Sequence, residues 1–127
     1  MKLVLSGIAL AILSAVIILS EVIPYSYEVQ AILLAAIGSI YIGFGLSDSH
    51  PHNLRLEVLV AALFFGIAIA GYWISPTITG MGFVLHGVWD FLHHPQVVKT
   101  AVPRWYPPFC AVYDWVLAAC LFSSQIF

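Results

Sequence analysis

The chain has 127 residues, 62% of them hydrophobic and 8% charged, with a mean hydropathy of +1.03. Soluble domains carry roughly 25% charged residues, so four basic and six acidic side chains are too few to wet a soluble surface. The same balance excludes disorder and, at a net charge of −2, nucleic-acid binding as a main task; the expectation is one integral membrane domain over residues 1–127.

A membrane-spanning helix needs about 20 apolar residues. Five windows meet that in chain order: Leu3 to Ile23, Val29 to Ser47, Leu56 to Ser75, Ile78 to His94, and Pro108 to Phe127. Prolines end helices or open their first turn, so Pro24, Pro51, Pro76, Pro95 and the Pro107–Pro108 pair read as punctuation. The first window resembles a secretory signal, but no A-x-A-like site follows it, and it is expected to stay in the protein. The fourth is the weakest, because it is short and carries His86 and Asp90. The fold class expected is therefore an all-α, polytopic bundle of five transmembrane helices in the inner (plasma) membrane.

Alternating spans put Lys2, Arg55, Lys99 and Arg104 on one face, which the positive-inside rule makes cytoplasmic; the N-terminus is then cytoplasmic and the C-terminus outside. Glu21, Tyr25, Tyr27 and Glu28 fall on the other face, where the tyrosines suit an aromatic belt. Ala35, Ser39 and Gly43 in the second span, and Ala62, Gly66 and Ala70 in the third, have the small-xxx-small spacing of packed membrane helices. Cys110 and Cys120 share one apolar segment without a CxxC, so no disulfide framework is expected.

The polar residues gather on the face of the basic ones. Asp48, His50 and His52 fall in the loop between spans two and three, and Glu57 opens span three. His86, Asp90, His93 and His94 follow one another down the cytoplasmic half of span four, where 100° per residue puts all four on one face. His86 and Asp90 are i,i+4 neighbours able to reach one metal ion. His86 and His93 are about 10 Å apart along the axis, too far for one ion on a straight helix. Asp114, about 9 Å from the start of the antiparallel fifth span, is level with the His86–Asp90 pair. Two carboxylates at equal depth in lipid call for a cation or a shared proton, since each ionised Asp there costs roughly 2.5–3.5 kcal/mol.

Plainer readings stand beside these. His93 and His94 suit a helix C-terminus, and Glu57 suits a helix N-terminus. His50-Pro51-His52 reads as a polar turn. Cys110 reads as a small buried hydrophobe. Trp89, Trp105, Tyr106 and Trp115 read as belt or packing residues.

The run Leu85-His86-Gly87-Val88-Trp89-Asp90-Phe91-Leu92-His93-His94 resembles the H-x-x-W-D-x-x-H-H signature of a family of small bacterial membrane proteins of unknown function. The likeness continues through a proline-containing loop to Cys110 and Asp114, a C-x-x-x-D spacing, and covers about the last 45 residues. It implies one site formed by His86, Trp89, Asp90, His93, His94, Cys110 and Asp114; His50 and His52 fall outside it. Asp90-x-x-His93-His94 is also similar to a histidine box of membrane fatty-acid desaturases and hydroxylases, with Asp in the first place, but the other boxes are missing. That likeness is one of chemistry alone.

These residues lead to three functional expectations. The first is a metal-binding membrane protein, read as an enzyme on a lipid or other apolar substrate. It would hold one or two transition-metal ions (Zn, Fe, Mn or Cu) through His86, Asp90, His93 or His94, and Asp114, with Asp90, Asp114 and His86 as the reacting groups. The metal would activate water, or oxygen in the case of iron or copper. The second is a metal-free acid–base or proton-relay site. The third is a transporter or accessory subunit of a membrane complex; haem would require a second histidine from His50 or His52. Lipids are the expected partners, with self-association left open.

Overall fold

A computed structural model describes residues 1–20 and 25–124. It contains the five expected helices in order: α1 (Lys2–Leu19), α2 (Ser26–Ser47), α3 (Pro51–Trp73), α4 (Pro76–His93) and α5 (Tyr106–Ser124). No strand occurs among the described residues. Glu21, Ile23, Pro24 and Phe127, which figured in the expected span ends, lie outside the described residues.

Local chemistry explains the boundaries. Ser75 caps α4 by accepting from the Thr77 amide at 3.3 Å, with Pro76 in the first turn, where its missing N–H costs nothing. Pro51 plays the same part in α3. That helix consequently starts five residues before the expected Leu56, and His52 sits on a helix rather than in a loop.

α2 packs on α3 and α4 on α5, while α1 lies along α5 and α4 also contacts α3 and α2. Glycine sets the closest approaches. A β-carbon on Gly38 of α2 would come within 2.8 Å of Phe64 on α3, and one on Gly7 of α1 within 3.0 Å of the Phe109 carbonyl on α5. The small-residue stripes expected to pack mostly face outward, although Ala35 lies against the core. Ser39 and Gly43 on α2, and Ala62 and Gly66 on α3, are exposed, and nothing lies within 4 Å of a β-carbon built on Gly43 or Gly66. The buried stripes are Leu34, Gly38, Tyr41 and Gly45 on α2, and Asn53, Glu57, Ala61, Phe64 and Ala68 on α3. These faces carry the polar and aromatic groups that need partners, and that need outranks small-residue spacing.

Gly7 meeting Phe109 places the start of α1 beside the start of α5. The Ala101 amide donates to Asp48 at 3.0 Å, joining the α4–α5 connector to the α2–α3 corner. Lys2, Arg55, Lys99 and Arg104 therefore share one end of the bundle.

Polarity runs from the inside out. Glu57, His86 and Asp90 are 0% exposed and Asp114 1%, while Leu59 is 69% and Val16 61% exposed. Three helices, α1, α2 and α3, are long and apolar enough to cross a membrane. His86 and Asp90 in α4, and Asp114 with Pro107 and Pro108 in α5, dilute the apolar character of the other two.

Candidate metal or acid–base centre

Two polar clusters lie inside the bundle. The first joins α4 to α5. His86 Nδ1 is 2.6 Å from Asp114 Oδ2 and 3.3 Å from Asp90 Oδ2. Tyr41 on α2 donates its hydroxyl to Asp90 Oδ1 at 2.5 Å. Phe64 closes the other side, with its ring edge-on to His86 at 4.9 Å between centroids. His86, Asp90 and Asp114 each offer a ligand atom, all within 4.8 Å of one another. His86 Nε2, Asp90 Oδ2 and Asp114 Oδ1 are buried without a hydrogen-bond partner. With both carboxylates ionised they would face at most one imidazolium, so the group would then need a further cation or a proton to reach neutrality.

The second cluster joins α3 to α4 and to the connector after it. His93 Nδ1 lies 2.9 Å from the Trp89 carbonyl, which can only accept, so Nδ1 carries a proton. His93 Nε2 lies 3.0 Å from Glu57 Oε1. The Trp89 indole donates to Glu57 Oε2 at 3.3 Å, and the Thr100 hydroxyl donates to Oε1. Wherever the proton between Glu57 and His93 resides, the pair is neutral, and both nitrogens and both oxygens are engaged. Tyr41 links the two clusters: its ring stacks on His93 at 4.2 Å and 28°, while its hydroxyl holds Asp90.

A third set lies at the surface end. Asp48 accepts from the Asn53 amide at 2.8 Å, from the His50 backbone at 3.0 Å and from Ala101, and it pairs with His50 Nδ1 at 2.9 Å. The Asn53 amide, with His50 and Ala101 behind it, holds the Asp48 carboxyl well below the usual carboxylate range. Asn53 also reaches the Lys99 carbonyl at 3.4 Å. Three successive connector residues, Lys99, Thr100 and Ala101, are thus held by Asn53, Glu57 and Asp48.

The residues expected to form one site are divided among these sets. His86, Asp90 and Asp114 come together. His93 and Trp89 stand with Glu57 in the second cluster. Trp89 serves there through both its indole and its carbonyl, a strut more than a belt residue. Cys110 is buried against Tyr41 and Tyr106, and Cys110 and Cys120 are both free thiols. His94 is exposed on a cleft at the basic end. His50 belongs to the Asp48 set, and His52 is exposed. Sequence reasoning passed over Tyr41, Asn53 and Thr100. Tyr41 had one available signal, a phenol well inside the apolar stretch of α2.

The bundle and its two internal clusters define the class: an all-helical protein with an apolar exterior and a buried imidazole–carboxylate group. Residues 2–125 match DUF6010, a family of unknown function, and the chain belongs to that family. No curated protein and no solved structure matches it.

Proposed function

We propose that this protein is a multi-pass membrane protein whose His86–Asp90–Asp114 group binds one divalent transition-metal ion and uses it on a lipid or other apolar substrate. The convergence of three buried ligand atoms within 4.8 Å of one another, two of them carboxylate oxygens beside a single imidazole, carries this reading. An ionised carboxylate in lipid costs roughly 2.5–3.5 kcal/mol, and a cation between α4 and α5 removes that cost for both aspartates. Mixed imidazole and carboxylate ligands suit Zn, Fe, Mn or Cu better than Ca or Mg. A metal held there would supply a Lewis acid or an activated water. Tyr41 would orient Asp90, as hydrogen-bonded partners orient metal-binding carboxylates.

The apolar exterior supports all five helices crossing the bilayer. The shared end of the four basic residues supports a cytoplasmic N-terminus and an external C-terminus. A second reading has its own observation: both carboxylates meet the same imidazole nitrogen, Asp114 at 2.6 Å and Asp90 at 3.3 Å, which also suits an acid–base site in which the two aspartates share one proton beside His86.

Elemental mass spectrometry of the purified protein, with thermal unfolding with and without chelator, decides between them. The metal reading expects near-stoichiometric Zn, Fe, Mn or Cu and a lower melting temperature in chelator. Protein that purifies without metal, takes none up and melts identically in chelator overturns it in favour of the shared proton. A reporter fused at the C-terminus that scores cytoplasmic overturns the orientation.

A further inference from the structure

The connector after α4 forms a cleft at the basic end that neither cluster accounts for. Its volume is about 380 Å³, within the roughly 300–1,000 Å³ of small-molecule sites. His93 and His94 line it on the α4 side, and Arg104 with Val102 and Pro107 on the other. No carboxylate lines it among the described residues. Arg104 is exposed and has no ion-pair or hydrogen-bond partner among the described residues.

The carbonyl end of a helix ordinarily repels anions. Here the last carbonyls of α4 are spent on its own backbone: Phe91 accepts from the His94 amide, Leu92 from Val98 and His93 from Gln96, each at 3.2 Å. Gln96 adopts φ 58° to make this wrap. The exposed polar side chains that line the cleft are therefore Arg104, His94 and Gln96, beside the apolar surface of Val102 and Pro107; the His93 ring lies buried behind them.

We propose that this cleft binds the phosphate group of a lipid whose glycerol and chains lie along the bundle. A guanidinium presents a rigid fork of donors that matches phosphate oxygens. The cleft opens at the end where Lys2, Arg55 and Lys99 also lie, the level expected for lipid phosphates. Behind the cleft the buried ring of His93 stacks on Tyr41, which holds Asp90. A lipid seated there has its headgroup next to the ring pair that separates the cleft from the buried aspartates. The inference rests on the membrane placement proposed above and not on the metal.

The test uses purified protein in a neutral detergent, with bound lipid read by native mass spectrometry. The probes are phosphatidic acid, diacylglycerol with the same chains, and inorganic phosphate. Phosphatidic acid should bind, diacylglycerol should not, and a large excess of inorganic phosphate should leave the lipid in place. Arg104→Gln should weaken phosphatidic acid roughly tenfold, the scale of one charge-assisted contact. Arg104→Lys, which keeps the charge and loses the fork, should fall between it and wild type. Arg55→Gln removes the same charge at the same end outside the cleft and should change binding less than twofold. Equal losses in Arg104→Gln and Arg55→Gln would reduce the effect to general surface charge and overturn the site. Displacement by inorganic phosphate at equal concentration would make the ligand a soluble phosphate and overturn the lipid. Removal of the metal by chelator should leave lipid binding unchanged. Extraction of the protein from membranes by alkaline carbonate would defeat the membrane placement separately.

Discussion

Glu57–His93 and His86–Asp90–Asp114 are both buried imidazole–carboxylate groups, and both include a histidine of α4. They differ in how far their hydrogen bonding is completed. Around Glu57 every polar atom has a partner: the Trp89 indole, the Thr100 hydroxyl and His93, whose second nitrogen is fixed by a carbonyl. Around His86 three polar atoms have none. A closed, neutral network spends its polarity on holding helices together. An open one of the same residue types keeps ligand capacity, at a cost of about 1–3 kcal/mol for each unsatisfied group. Residue type alone does not distinguish the two groups; the count of satisfied atoms does.

The comparison breaks most visibly at Glu57. Glu57→Gln leaves His93 facing a neutral amide in the core and should destabilise the fold by about 3–5 kcal/mol. Denaturant or thermal unfolding in detergent would register this, while the folded fraction should keep its full metal content. Loss of metal alongside stability would show that the clusters act as one unit.

Asp114→Asn and Asp90→Asn should do the reverse. Each removes one ligand charge with little change in shape, so metal content should fall to background and the melting temperature should become insensitive to chelator. Saturating metal at a hundred times its Kd contributes about 2.7 kcal/mol, and that is the stabilisation these variants should lack. A variant that still responds to chelator would move the metal elsewhere.

Tyr41→Phe sharpens the contrast, because it keeps the ring on His93 and removes only the hydroxyl on Asp90. Loss of a hydrogen bond to a metal ligand typically weakens metal binding by roughly 10–100-fold. Competition with a chelator of known affinity would measure it. An unchanged affinity would restrict Tyr41 to packing.

The smallest effect belongs to Asp48. Its carboxyl is held below its unfolded value, so its contribution to stability is present above the unfolded pKa, about 3.9, and fades as pH falls towards the lowered folded value. The melting-temperature gap between wild type and Asp48→Asn should be flat from about pH 8 to 5 and shrink below about pH 4. His50→Ala with His52→Ala should change bound metal less than His86→Ala does. An equal loss would bring the corner into the metal site.

The helices were legible because apolar windows and prolines mark them, and the shared level of Asp90 and Asp114 followed from 1.5 Å per residue on antiparallel helices. The division of the α4 histidines was only half legible. Periodicity puts His86 and His93 on one face, but it says nothing about Glu57, 36 residues away in sequence from His93. Tyr41 is 49 residues from Asp90, and nothing local to either links them. The small-residue stripes misled because spacing identifies faces that can pack closely, whereas the faces that do pack bury Asn53, Glu57 and Tyr41. Pro51 read as punctuation without a side, since proline ends one helix and opens another with equal ease, and the start expected near Leu56 fell short of α3 by its first turn.

Glu57 also bears on the order in which the chain is made. All its hydrogen-bond partners, Trp89, His93 and Thr100, come from the second half of the sequence. By length and composition α1 to α3 look sufficient on their own, yet when they emerge from the ribosome the groups that hold the Glu57 carboxyl in the finished bundle have still to be made. The growing chain must keep that end of α3 near water until α4 and the connector arrive. A chain truncated after Trp73 would then be apolar enough to insert and still lack the pieces that let it settle, so the C-terminal half completes the packing of helices synthesised before it.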